Sequence, residues 1–254
     1  MSWWHAVLVL LAGVWAGAIN AVVGSGTLVT FPVLVALGYP PVTATTSNAI
    51  GLAPGTVSGA IGYRHELTGQ GPRLVRYSVA SFLGAIGGTI LLLSLPPDAF
   101  EKIVPVLVGL AVVLVIVQPW VSRQVARRRE EQPDAKPHGG FLLLFLIFLI
   151  GIYGGYFTAA QGVMLMGVMG MLLTDSLQRL NGIKNVLSAV VNIVAGAIYA
   201  FVAPVSWPVV GLLAVGSTLG GQLGAKIGRK LPPTVLRGVI VVVGVAAIVQ
   251  LVLR

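Results

Sequence analysis

The side chains able to do chemistry are few and fall in matched places. Asn20, Ser25 and Thr27 surround Gly24 and Gly26 in "NAVVGSGTLVTFP", and Thr158 and Gln161 precede Gly162 in "TAAQGVM". Each group interrupts an apolar run with a polar, glycine-containing break. Downstream of each lies a second polar cluster. The first is "TATTSNAIG", with Ser47 and Asn48; the other is "LNGIKNVLSAVVN", with Lys184 and Asn185. These groups supply neutral donors, backbone amides and one ammonium. A helix that starts at such a break presents unpaired N–H groups and the positive end of its dipole, which suits an anion. A lysine placed several turns into an apolar helix is costly unless it has a use, and a negatively charged solute would provide one. Two plainer roles stand beside these. The glycines could serve close helix packing alone, and Lys184 could snorkel from a helix that starts near Asn181.

Missing residue types narrow the chemistry. Glu66, Asp98, Glu101, Glu130, Glu131, Asp134 and Asp175 all fall in expected loops or at span ends. A buried carboxylate relay is therefore not expected. His5, His65 and His138 have no second ligand at metal spacing, and the chain has no cysteine. No nucleophile has a base within reach, so no enzyme, metal or cofactor is expected.

Composition fixes what must position these groups. The chain has 254 residues, 56% of them hydrophobic and 9% charged, with a mean hydropathy of +0.95. That is the composition of an integral membrane protein, and the absence of two-residue alternation favours helices over a barrel. The expected fold is an all-α polytopic membrane protein in the lipid bilayer. The net charge of +9 lies in short loops without interleaved aromatics, so it reads as topology rather than nucleic-acid binding. The first apolar run is too long for a signal peptide, and Trp3 and Trp4 would anchor it at the interface.

An internal repeat organises the spans. "SFLGAIGG" from Ser81 matches "STLGGQLG" from Ser217, and "LPP" follows both; "GVWAG" from Gly13 matches "GIYGG" from Gly151, and Gly24 falls opposite Gly162. The duplication predicts N- and C-terminal transmembrane repeats at 1–121 and 141–254, joined by a basic linker at 122–140. Equivalent loops carry opposite charge bias. Arg64, Arg73 and Arg76 lie in one loop whose counterpart "APVSWP" is uncharged, and Lys226, Arg229, Lys230 and Arg237 stand opposite a slightly acidic loop near Asp98. By the positive-inside rule the two repeats are inverted, with the linker cytoplasmic.

Parity then requires five crossings per half, near 3–22, 26–38, 41–62, 77–94 and 103–121, then 141–160, 163–175, 177–202, 208–226 and 235–253. Both termini come out extracytoplasmic in the plasma or inner membrane. The second segment of each half is too short to span about 30 Å of hydrocarbon, so its broken end must be buried or face water. The glycine-rich faces suit subunit contacts as well as lipid, so a homo-oligomer stays open.

From Gly13 to Asn48 the chain reads G-x-x-A-G-x-x-N-A-x-x-G-x-G, then L-x-x-F-P-x-L-x-x-L-G-Y-P-P-x-x-A-T-T-S-N, with G-I-Y-G-G and K-N in the second copy. This resembles the TauE/SafE (TSUP) family of sulfite exporter-like permeases over nearly the whole chain. The resemblance implies a transporter of sulfite, sulfonates or related small sulfur-containing anions, in several cases outward. Ser25 interrupts the first glycine run, and "TAAQGVM" lacks the triple glycine often seen in the second. The expectation is a secondary transporter, an exporter working by alternating access. Its substrate site comprises Asn20, Gly24, Ser25, Gly26, Thr27, Ser47, Asn48, Thr158, Gln161, Gly162, Lys184 and Asn185. The alternative is an uncoupled, channel-like permease for other small anions or neutral solutes.

Overall fold

The computed structural model describes residues 2–131 and 140–227. The expected last span, 235–253, lies outside them, as do 132–139 of the expected linker. The described residues form nine α-helices: α1 (Trp3–Val22), α2 (Thr27–Ala36), α3 (Pro41–Gly62), α4 (Gly71–Ser94), α5 (Pro97–Glu131), α6 (Gly140–Tyr156), α7 (Gln161–Leu172), α8 (Leu177–Val202) and α9 (Trp207–Ile227), with a 3-10 turn at Arg64–Leu67. No strand occurs among the described residues. In both α1–α4 and α6–α9 the second helix is the shortest, at 10 and 12 residues. Several boundaries differ from those expected: α4 starts at Gly71 rather than near 77, α5 runs from Pro97 to Glu131 rather than over 103–121 and makes the first part of the polar stretch 122–140 helical, and α6 ends at Tyr156 rather than near 160.

Local chemistry explains the boundaries. Pro41 opens α3 at a position where the missing N–H costs nothing. Ser176 caps α8, its hydroxyl accepting from Arg179 N–H at 3.2 Å. Five of the described helices are long and apolar enough to cross a membrane; α2, α6 and α7 are shorter apolar helices. Their outward faces carry exposed Leu83, Ile90, Val106, Val113, Phe141 and Phe201. In water such a surface would be a liability, whereas in lipid it is the expected exterior.

The repeated motifs pack crosswise. "GVWAG" of α1 lies on "STLGGQLG" of α9: a Cβ on Gly13 would come within 3.3 Å of Gly216 Cα, and one on Gly17 within 2.8 Å of Gly221 N. "GIYGG" of α6 lies on "SFLGAIGG" of α4 in the same manner, Gly151 facing Ser81 O at 2.9 Å and Gly155 facing Ala85 backbone. Small residues let these backbones meet where lipid supplies no hydrophobic drive between helices. Each half is therefore held by the other.

Polar contacts tie the ends. At one end Asp175, in the α7–α8 loop, pairs with Arg73 and, at 3.2 Å, with Arg179. Arg179 Nε also donates to Glu66 O at 3.4 Å. Burial alone would raise the Asp175 carboxyl, but the hydrogen bonds and charges of the two arginines outweigh it and hold it below the usual carboxylate range. At the other end Thr46 Oγ1 donates to Pro204 O at 2.6 Å, and Ser206 N–H to Ser47 Oγ at 2.9 Å.

Candidate functional site

The two breaks meet. Helix α1 closes when Val23 N–H and Gly24 N–H both donate to Ile19 O, at 2.7 and 3.0 Å, with Gly24 at φ +89°. Such a left-handed residue past a helix end favours glycine. The chain reverses, and Asn20 Oδ1 accepts from Gly26 N–H at 2.7 Å, so one side chain of α1 braces the start of α2. In the second break α6 ends at Tyr156 and Ala160, at φ 58°, precedes α7. Gly162 N–H then donates to Gly24 O at 3.0 Å, the chain of one half bonding to the chain of the other. A Cβ on either glycine would lie 2.5 Å from the other's Cα. The sequence alignment that set Gly24 opposite Gly162 thus found two residues in direct contact.

Ala160 is the described non-glycine residue at positive φ, in the break that lacks the expected triple glycine. Its Cβ opposes the left-handed backbone by about 1–2 kcal/mol, and glycine would return part of that gain as unfolded-state entropy. The methyl is also fully buried in the core, and removing it loses about 0.8 kcal/mol, so Ala160→Gly should leave stability within about 0.5 kcal/mol of the wild type. A thermal melt of the purified variant in detergent checks this, with a large shift of the midpoint in either direction as the contrary result.

A buried polar cluster surrounds the first break. Asn48 of α3 spans one turn of α2: Thr30 Oγ1 donates to its Oδ1, and its Nδ2 donates to Thr27 Oγ1 at 3.0 Å. Thr27, Thr30 and Asn48 are all buried. Thr30 was absent from the sequence reading, although its place one turn after Thr27 puts it on the same helix face.

Lys184 and Asn185 join this cluster from α8. Helix α8 begins at Leu177 rather than near Asn181, and Lys184 is 0% exposed, so the side chain does not snorkel. Its Nζ donates to Asn20 O at 2.9 Å and Ala21 O at 3.2 Å, and Asn185 Nδ2 donates to Ala21 O at 3.2 Å. These are carbonyls of the last turn of α1, where an intrahelical donor is lacking and the dipole is negative. The ammonium therefore fixes the helix end from which the break starts.

The remaining candidates divide. Ser47 is turned to the α8–α9 loop, accepting from Ser206 N–H. Thr158 is buried between α6 and α7. Gln161 folds back against Gly154 of α6, whose Cβ would lie 2.6 Å from the amide carbon. Ser25 Oγ and Gln161 Nε2 are buried polar atoms without a hydrogen-bond partner, one in each break. Helices α2 and α7 both begin without a side-chain cap. Buried polar groups are nearly always paired; seven other described side-chain atoms share this state, among them Thr45 Oγ1 and Asn192 Oδ1, and these two are the ones that lie in the breaks. A cavity of about 430 Å³ between α5, α6, α7 and α8 is apolar, and none of the expected binding residues lines it. Among the described residues no three His, Asp or Glu side chains are grouped to hold a metal ion.

A family profile described as "Sulfite exporter TauE/SafE" matches residues 9–251. The chain is 24% identical over 237 residues to a "Probable membrane transporter protein" of Haemophilus influenzae, covering 92% of this chain and 89% of that one. It is 25% identical over 230 residues to the "Probable membrane transporter protein YfcA" of Escherichia coli, covering 90% and 82%. It is 23% identical over 236 residues to the "Probable membrane transporter protein ORF9" of a Sinorhizobium species, covering 93% and 88%. No solved structure shows significant similarity to the chain.

Proposed function

We propose, from the premise that this chain belongs to the TauE/SafE sulfite exporter family and is a multi-pass membrane transporter, that it exports a small sulfur-containing anion such as sulfite or an organosulfonate. The observation that carries this reading is the contact between the breaks, Gly162 N–H to Gly24 O at 3.0 Å. Two short helices, α2 and α7, start beside it with unpaired Ser25 Oγ and Gln161 Nε2 nearby in sequence. When the breaks separate, their amides, the serine hydroxyl and the glutamine amide offer donors to an oxyanion, and Lys184 adds a positive charge one hydrogen bond away.

On this reading the described closed arrangement is the occluded one. The repeats 1–121 and 141–254 are inverted, the stretch 122–140 and the Arg73–Asp175–Arg179 end face the cytoplasm, and both termini lie outside. Crosswise packing of α1 on α9 and of α6 on α4 means that alternating access would rock pairs of helices drawn from both halves. Moving one negative charge out of a cell whose interior is negative by 100 mV gains about 2.3 kcal/mol, so export needs no coupling ion.

The test is a panel of radiolabelled sulfite, thiosulfate, a sulfonate and acetate in proteoliposomes. Saturable efflux of a sulfur oxyanion, faster with an inside-negative potential, is expected. Failure of every sulfur anion to bind or move would sink the reading, and flux still linear far above millimolar concentrations would favour the channel-like alternative.

A further inference from the structure

A second feature lies on the opposite side of α3 from the breaks. Helices α3, α8 and α9 enclose a groove of about 690 Å³. Its walls are mainly apolar, with Ala53 and Val57 of α3, Ile193 and Ala197 of α8, and Trp207 at the far end on α9. Ile61, Ile193 and Trp207 are about half exposed, so the groove opens sideways where the rest of the exterior meets lipid. At Ile61 and Gln222 it runs directly into a second recess of about 410 Å³, lined by Arg64, His65 and Lys226. Among the described residues no carboxylate lines either space.

We infer that this continuous groove and basic mouth bind an anionic phospholipid, with the headgroup phosphate at Arg64, His65 and Lys226 and an acyl chain along α3, α8 and α9. Three observations select this occupant. Charge is the first: the cations stand together at the helix ends, where a phosphate lies at the bilayer surface. Length is the second: along α9 the lining runs from Trp207 to Gln222, roughly 22 Å of helix, more than half of a hydrocarbon core of about 30 Å and so long enough for an extended acyl chain. The third is the apolar wall itself, which a free inorganic anion would not require and an acyl chain fills. The groove is built from both halves of the chain, α3 from the first and α8 and α9 from the second. A lipid seated there would bear on their relative position.

Native mass spectrometry of the full chain in detergent, with phosphatidylglycerol and phosphatidylcholine of identical chains added in equal amounts, tests this. The wild type should retain phosphatidylglycerol with a preference of about thirtyfold, what two full surface cations contribute. Arg64→Gln with His65→Gln and Lys226→Gln should bring the two lipids level. Ala197→Phe, which fills the groove and leaves the cations, should lower retention of both. A melt of each variant keeps unfolding apart from lost binding, and the wild-type comparison stands without any variant. Equal retention of the two lipids by the wild type would overturn the proposal. So would binding of inorganic phosphate alone with no lipid retained.

Discussion

Gly24→Ala is expected to abolish transport and to lower stability by about 2–5 kcal/mol, the sum of two separable costs. One is backbone: at φ +89° a Cβ costs about 1–2 kcal/mol. The other is contact: the new methyl would lie 2.5 Å from Gly162 Cα and 2.8 Å from Gly162 C, which are main-chain atoms that cannot rotate away. Overpacking of that kind typically costs 1–3 kcal/mol. Two companions divide the effect. Gly162→Ala meets Gly24 Cα at 2.5 Å without a positive φ and should bear only the contact cost. Gly38→Ala has φ +90° but nothing within 4 Å, so it should bear only the backbone cost and keep transporting. Flux and melting temperature of the three variants in parallel decide the matter. If Gly24→Ala and Gly162→Ala both transport like the wild type, the meeting of the breaks has no part in the cycle.

These two glycines could be picked out from sequence because similar segments, "GVWAG" and "GIYGG", precede both of them at nearly the same distance. Two helix starts were legible for a different reason: in α3 and α8 the apolar runs follow Pro41 and Ser176, whose local chemistry dictates a start. The contact between breaks was not legible, because alignment says which residues are equivalent and nothing about whether equivalents touch. Crosswise packing of α1 on α9 and α6 on α4 was equally hidden, since a glycine stripe fits any close partner. Side-chain direction was the largest gap. Ser47 and Asn48 are neighbours in sequence, yet a 100° step around the helix sends one to Ser206 N–H and the other to α2. Lys184 was read as a charge awaiting an anion, whereas its ammonium is already bonded to two carbonyls.

That bonding makes Lys184→Met the second large expected effect. Removing the ammonium leaves Asn20 O without its donor and Ala21 O with only Asn185 Nδ2, in a region closed to water. An unsatisfied buried carbonyl costs about 1–3 kcal/mol. Lys184→Met should therefore lower the melting temperature, let the end of α1 shift, and stop transport. Anchoring and attraction of the solute then need separating, and Lys184→Gln does so. Glutamine keeps a donor for a carbonyl and loses the charge. If the lysine only anchors α1, glutamine should restore both stability and flux. If it also draws in an anion, stability should return while KM for the proposed sulfur anion stays raised. A unit charge roughly 8 Å from the solute, at an effective dielectric constant of about 20, is worth about 2 kcal/mol, or roughly thirtyfold in affinity. Among the described residues no carboxylate forms an ion pair with Lys184, so its charge is not cancelled at contact and the raised KM is the expected result. Wild-type KM with restored stability in Lys184→Gln would reduce this residue to a brace for α1.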